Sequence, residues 1–277
     1  MKISAHTIVK NEERYIWFAI KSIIEFVDIA HVWDTGSSDK TPRIIERLIK
    51  LHPNKIKYKQ LGNITLDQFP YARQQMVQED NSDWFIILDG DEVWWRQGVT
   101  KLTSLINQSG RNLDSIVCSF TNPIGDIFHY QEEKAGFYNI DGKIGNHTIR
   151  AINRNIKGLH VENPYGFESY LDSSKTKIQD RPKSKRIHIG KTFMHLTHLP
   201  RSANSNTVMK RSFKLKYELG NPLPLDYFYP EVFFAPKPEF VPTPWFNHNV
   251  SYTLKAALIT APKKLKRRLT ISPKIGY

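Results

Sequence analysis

The sequence predicts an α/β fold: a mostly parallel sheet with helices on both faces. Three observations predict it. Apolar strand-like segments alternate with amphipathic segments of helical period through residues 1–125. Trp84–Leu88 is apolar at every position, as in a central parallel strand buried on both sides. Three strand-like segments run out into polar clusters, Lys10-Asn11-Glu12, Asp34-Thr35-Gly36 and Asp89-Gly90-Asp91-Glu92, and open α/β sheets bind ligands at the carboxyl ends of their strands.

The elements follow in order. Lys2–Val9 reads as a buried strand. Glu12–Val27 places Ile16, Ala19, Ile20, Ile23, Ile24 and Val27 at helical spacing. Ile29–Trp33 is a second strand, and Gly36-Ser37-Ser38-Asp39 a turn in which Ser38 or Asp39 can cap the next helix. That helix carries Thr41-Pro42 in its first turn and buries Ile44, Ile45, Leu48 and Ile49. Lys55–Gln60 alternates as a third strand, and Phe69–Glu79 is helical. Asp83–Leu88 is the fourth strand, followed by helix Val99–Gln108 and strand Ser115–Thr121. Further on, His147–Asn153 and Leu159–Glu162 read as strands, Asn163–Tyr170 as an aromatic loop, Arg181–Ile189 as a basic segment and Asn206–Leu219 as a helix. Prolines and aromatics crowd residues 221–246, which cannot form a long helix and should wrap the surface. Tyr252–Leu269 reads as a basic, helical segment.

Composition narrows the function classes. The chain has 277 residues, 40% hydrophobic and 24% charged, which excludes wholesale disorder. A lone cysteine, Cys118 in an apolar run, excludes a disulfide framework and suggests a reducing, cytoplasmic setting. No apolar run reaches the ~18 residues of a membrane span, and Met1–Lys10 lacks a signal-peptide core. The net charge is +13, but it is localised. Lys175–Lys216 holds 12 basic residues and one acid, and Lys255–Lys274 holds seven basic residues and none. The rest of the chain therefore sums to −5, since 13 − 11 − 7 = −5. Acidic strand ends argue against a nucleic-acid partner, whose phosphates they would repel. The basic segment 255–274 suits an anionic membrane surface, at its inner face, or a solvated extension.

The chemistry concentrates in Asp89-Gly90-Asp91. Carboxylates at i and i+2 of an extended chain point the same way, and Gly90 lets the backbone turn between them. Such a pair at a strand exit suits a hard cation, Mg²⁺ or Mn²⁺, that leaves positions open for phosphate oxygens. An isolated Asp-x-Asp is more often a solvated turn; the apolar strand before this one sets it apart. Asp34, at the second strand end, can accept hydrogen bonds from a ribose or base, or cap its turn.

Four segments carry a resemblance to a family. Thr7-Ile8-Val9-Lys10-Asn11-Glu12-Glu13, Asp34-Thr35-Gly36-Ser37-Ser38-Asp39-Lys40-Thr41, Tyr71-Ala72-Arg73 and Asp83–Glu92 resemble, in order and spacing, the motifs of family 2 glycosyltransferases. The resemblance covers roughly residues 3–95 and implies a GT-A, Rossmann-like fold. It also implies a nucleoside-diphosphate-sugar donor, a divalent metal, transfer to an acceptor hydroxyl on a glycan or lipid, and inversion at the anomeric carbon. By the same resemblance Val9, Lys10, Asn11, Glu12 and Asp34 contact the nucleoside, Arg73 lies near the donor, Asp89 faces the ribose or sugar, and Asp91 binds the metal. Many members have an aromatic where this chain has Lys10. Relatives place a late metal-binding histidine near His195 and His198; on a helix both could face one metal, on a strand they point to opposite faces, and a single ligand is expected over two. An acceptor-side acid falls near Glu162 and Glu168, with Glu168 favoured as base because it follows an aromatic loop. Arg201, Lys210 and Arg211 are candidates to neutralise the diphosphate. Residues 1–125 then form a nucleotide-sugar-binding half, 126–220 an acceptor-side half of the same domain, and 221–277 a wrap and basic tail. A second reading is an inactive sugar-nucleotide-binding homologue; a sugar nucleotidyltransferase would call for a Gly-rich loop that Val9–Arg14 lacks.

Overall fold

The computed structural model describes residues 1–204, 216–269 and, as a short strand, 274–275. The elements in chain order are β1 (Ile3–Val9), α1 (Ile16–Ile23), β2 (Ile29–Asp34), α2 (Thr41–Leu51), β3 (Ile56–Gln60), α3 (Gln68–Glu79), β4 (Trp84–Ile87), β5 (Glu92–Trp94), α4 (Arg96–Ser109) and β6 (Ser115–Thr121). Then come β7 (Pro123–Ile124), β8 (Asp126–Tyr130), β9 (Tyr138–Ile140), β10 (Lys143–Gly145), β11 (His147–Asn153), β12 (His160–Glu162), β13 (Ser169–Leu171), β14 (Arg186–His195), β15 (Asn221–Pro222), α5 (Val250–Leu269) and β16 (Lys274–Ile275).

Eight strands form one sheet in the order β3-β2-β1-β4-β11-β6-β14-β5. The first four are mutually parallel, and β14 runs parallel to β6. β11 is antiparallel to both of its neighbours and β5 is antiparallel to β14, so the sheet is mixed. β4 shows why both faces must be covered. Trp84, Ile86 and Leu88 enter the core beneath α1, α2 and α4, while Phe85 and Ile87 enter the opposite core with Val77 of α3. All five side chains are fully buried.

Two elements differ from the sequence reading. The helix expected from Glu12 starts only at Ile16, because Asn11 takes a left-handed φ of 51° and Glu12–Tyr15 is spent on a turn. Its other end stops at Ile23, where Lys55 caps the carbonyls of Ile24 and Val27 at 3.0 and 3.1 Å. The basic segment Arg181–Ile189 and the following Phe193–His195 belong largely to one ten-residue strand, β14, which carries two register irregularities around Lys191. Most of the expected helix Asn206–Leu219 lies outside the described residues; Lys216–Leu219 are not helical. The Pro-rich stretch does wrap the helical face, burying Phe233 and Val241 in the main core. Trp95 Nε1 donates to the Phe228 carbonyl at 2.8 Å, fastening the wrap to the end of β5.

Beneath β1 and β2 lies a buried polar knot. Asp80 accepts from Ser4 and Ser82 at 2.6 Å and faces His6 at 3.0 Å and His31 at 3.6 Å. Burial lowers His6 from 6.5 to about 4, against the pull of Asp80. The unfolded chain protonates this imidazole near 6.5 and the folded one not until about 4. Between those values the unfolded state binds the extra proton, so stability is lost as pH falls. The expected loss from His6 between pH 7 and pH 5 is about 2 kcal/mol. Urea unfolding of wild type and His6→Gln at both pH values checks this: the variant should lose about 2 kcal/mol less, and equal losses would contradict it.

Candidate active site

The acidic turn sits where β4 leaves the sheet and the chain folds back into β5. A Cβ on Gly90 would meet Glu12 Cγ at 2.9 Å and Val9 Cγ1 at 3.2 Å, so glycine is what lets the turn rest on the Val9–Glu12 loop. β5 then pairs antiparallel with β14 in a register that sets His195 opposite Glu92. The Asp91 carbonyl accepts the Leu196 N–H at 2.8 Å, locking the end of β14 to the turn. His195 Nε2 lies 3.7 Å from Asp91 Oδ1 and 4.0 Å from Glu92 Oε1. His198 lies beyond the strand, buried, in a backbone bridge with Ile124.

Three arginines thread the acids. Arg150 Nη2 donates to Asp89 Oδ2 at 3.2 Å and also to Glu92 Oε1. Arg201 Nη1 donates to Glu12 Oε1 at 3.0 Å and Asp91 Oδ2 at 2.6 Å. Arg73 lies 3.8 Å from Asp89 Oδ1 and 3.9 Å from Glu168 Oε1. All three guanidiniums are buried, as are Glu12, Asp91, Glu92 and Glu168; Asp89 keeps 29% of its side chain exposed and so forms the open side. Among the described residues, five carboxylates and three guanidiniums meet here; Lys210 and Arg211 lie outside the described residues.

Burial alone would suppress ionisation of Asp89, but Arg150 and Arg73 outweigh it and hold the carboxyl below its usual value. Glu92 goes the other way. Burial, with the Asp89 and Asp91 charges, pushes it well above the usual range against the pull of Arg150. Arg201 is raised: burial opposes its charge, and Asp91 and Glu12 more than restore it. The ligand atoms of Asp89, Glu92 and His195 lie within 4.8 Å of one another. Carboxylate oxygens with one imidazole suit a Mn²⁺ or Mg²⁺ ion.

The residues expected at the nucleoside form a second, adjoining patch. Asn11 donates its N–H to Ser37 Oγ at 2.8 Å and accepts the Ser38 N–H at 2.7 Å, stitching the ends of β1 and β2 together. Asp34 Oδ1 caps the Ser37 N–H at 2.7 Å while Oδ2 takes the Tyr58 hydroxyl at 3.2 Å, so this residue holds its own turn. Lys10 reaches Asn63 at 2.8 Å. Asp39 accepts the Thr41 N–H at 2.8 Å, the capping role expected of it. Glu13 accepts from Ser202 Oγ at 3.3 Å and from the Ala203 N–H at 3.0 Å, so Asn11, Glu12 and Glu13 together tether residues 201–204.

The two acceptor-side acids separate. Glu168 is 4% exposed, turned inward beneath the Asn163–Phe167 loop, and accepts the Gly166 N–H. Phe69 and Tyr165 pack edge to face above Arg73 on the same side. Glu162 sits on the outlying β12–β13 hairpin, 42% exposed, beside His160 and Lys175. Cys118 is buried with its thiol pushed up to about 12 by burial, which leaves no nucleophile there at neutral pH. Arg150 is the residue that sequence reading missed. It is flanked by buried apolar residues on an internal strand, and it occupies the register slip between Ile149 and Ala151 where β11 pairs with β6. A charged residue in the middle of an apolar strand was the available signal.

The sequence profile described as glycosyl transferase family 2 matches residues 4–169. A TPR repeat-containing protein of Synechococcus elongatus is 31% identical over 107 residues, which are 39% of this chain and 25% of that protein. The chain thus spans about a quarter of that relative's length. Among solved structures, S. aureus TarS 1–349 is similar with a TM-score of 0.46 and 14% identity, over 71% of this chain and 61% of that one. Glucosyl-3-phosphoglycerate synthase from Mycobacterium tuberculosis, solved with Mn²⁺, UDP and phosphoglyceric acid, aligns over 69% of each chain with a TM-score of 0.44 and 15% identity. The profile spans more than half of the chain, from β1 to Ser169 at the start of β13, and takes in the acidic turn, Arg73, Arg150 and Glu168: the protein belongs to glycosyltransferase family 2.

Proposed function

We propose that the protein transfers a sugar from a nucleoside-diphosphate-sugar to an acceptor hydroxyl, with inversion and with the help of Mn²⁺ or Mg²⁺. The observation that carries this reading is the gathering of Asp89, Glu92 and His195, whose ligand atoms lie within 4.8 Å of one another at the carboxyl end of β4, with Asp89 partly exposed. A protein that only bound nucleic acid or another anion would have no use for acids gathered at this edge.

Asp91 and His195 would hold the cation, with Asp89 and Glu92 beside them. When bound, it supplies Lewis-acid stabilisation of the charge that develops on the departing diphosphate. The protein's own groups do the rest. The Val9–Glu12 loop and Asp34 seat the nucleoside, and binding energy gained there orients the reacting centre. Asp89, the exposed member of the acid cluster, faces the sugar. Glu168 takes the proton from the acceptor hydroxyl as that oxygen forms its bond to the anomeric carbon and the diphosphate leaves. Arg73, between Glu168 and Asp89, ties the acceptor-side acid to the donor side. Arg201 brings positive charge beneath Asp91 and keeps the donor-side acids at close quarters. The acceptor is a glycan or a lipid-linked sugar.

Two outcomes are expected with a panel of UDP-, GDP- and dTDP-sugars. Asp91→Asn should lower metal-dependent release of the nucleoside diphosphate by at least about 100-fold; full activity at saturating donor and metal would refute the metal assignment. Glu168→Gln should lower kcat for acceptor transfer by about 100-fold or more, with donor affinity changed by less than about threefold. An unchanged kcat would remove Glu168 from the role of base.

A further inference from the structure

α5 has two faces with opposite partners. One face packs on the protein. Ala256 is fully buried, Thr260 Oγ1 accepts the Leu219 N–H at 2.8 Å, and the Tyr252 hydroxyl reaches the carbonyls of Lys216 and Glu218 at 3.1 and 3.0 Å. Arg267 pairs with Glu218 at 2.5 and 2.6 Å and with Glu132 at 3.2 Å. Burial of Glu218 opposes its charge, but Arg267 more than compensates and lowers its carboxyl.

The other face is apolar and uncovered. Val250, Leu254, Leu258, Leu265 and Leu269 are 75%, 63%, 80%, 58% and 74% exposed. Their spacing of four, four, seven and four residues places all five in one stripe along the helix. At 3.6 residues per turn, Lys264 and Arg268 fall along one edge of that stripe, and Lys255 and Lys266 along the other. Isolated exposed leucines need no explanation; a continuous stripe along ~30 Å of helix, bordered on both sides by cations, does.

We propose that α5 docks the protein on an anionic lipid bilayer, lying in the plane of the surface with its leucine stripe in the acyl boundary. The charge pattern selects this occupant. Lys and Arg at the edges of an apolar stripe reach anionic headgroups while the stripe is buried. A protein groove would bury the same stripe but would need acids along two parallel lines. No helix among the described residues is long and apolar enough to cross a membrane, and the basic side chains that edge the stripe, Lys255, Lys264, Lys266 and Arg268, fit an interfacial position instead. Docking also places a feature of the acceptor side at the surface. A cavity of about 820 Å³ is lined by Lys264 and Arg268 of α5 with Lys134 and Phe120, and also by Glu132 and Glu133, which pair with Arg267 and Lys191. The Phe120 ring packs edge-on against His195, 5.3 Å between centroids, so one wall of this cavity backs onto the acid cluster. A lipid-borne acceptor with an anionic headgroup suits that arrangement; this last step rests on the transfer reading, whereas the docking does not.

Co-sedimentation with vesicles tests the docking without any activity readout. The full chain should bind vesicles of phosphatidylcholine mixed with phosphatidylglycerol, bind phosphatidylcholine alone at least about tenfold less, and detach at about 1 M salt, where the screening length is about 3 Å. The double substitution Leu254→Glu and Leu258→Glu should cut binding by at least about tenfold. Lys255→Glu with Lys266→Glu, which leaves the leucines in place, should abolish the preference for phosphatidylglycerol. Leu254 and Leu258 are exposed, so thermal unfolding of the leucine variant should match wild type. Equal wild-type binding to both vesicle types, or undiminished binding of the leucine variant, would overturn the proposal. So would a dimer that the leucine substitutions dissociate in the absence of any vesicle binding, which would make the stripe a protein interface.

Discussion

Arg150 and Arg201 each hold two carboxylates in a space from which water is largely excluded. Arg150 holds Asp89 and Glu92, and Arg201 holds Glu12 and Asp91. Without them, four acids drawn from the ends of β1 and β4 would repel one another at low dielectric, where such repulsion is worth several kcal/mol. Glu168 and Arg73 extend the network toward the Asn163–Phe167 loop. On the proposed reading, acids held together in this way would take a divalent cation together with a diphosphate.

The sheet exists in a form that serves this network. Reversal of β5 onto β14 sets His195 opposite Glu92 and brings the acidic turn under the chain that continues to Arg201. The register slip in β11 lies at Arg150, and a bulge is the usual device for re-aiming one side chain without disturbing the rest of a strand. Asn11, with its left-handed backbone, delays the start of α1, so that Glu12 and Glu13 turn toward residues 201–204 rather than enter the helix. Each departure from regular structure therefore occurs where a charged side chain must be placed.

Those departures also mark where sequence reading stopped. The parallel half was legible because burial on both faces makes β4 uniformly apolar and gives α1 and α2 their period. The acidic turn and Asp39 as a turn cap followed from local chemistry, and the motif resemblance pointed to Glu168 without fixing that it is buried. β14 was split into two segments, because Gly190 and Lys191 interrupt its alternation at the places where its pairing with β6 slips. Arg150 was overlooked because periodicity assigns side chains to faces only in a regular strand, and a bulge breaks that rule. The antiparallel direction of β5 and β11 depends on pairings between residues 28 to 103 positions apart, to which local pattern is blind. The stripe on α5 was readable as basic and amphipathic, but which of its faces meets the protein came only from its partners Leu219 and Glu218.

The family sets the reaction class, and the proposed reading assigns the parts: a nucleoside across the ends of β1 and β2, a diphosphate at the acid cluster, and buried Glu168 as the base. Its central claim is that the acid cluster takes a cation together with the diphosphate. Calorimetric titration with UDP, GDP and dTDP, each with and without Mn²⁺, tests it most directly in wild type and Asp91→Asn. The account predicts that one nucleotide binds wild type at least about tenfold more tightly with Mn²⁺ and that Asp91→Asn abolishes this gain. Nucleotide binding that is indifferent to the metal, or a metal effect that survives the substitution, would contradict it.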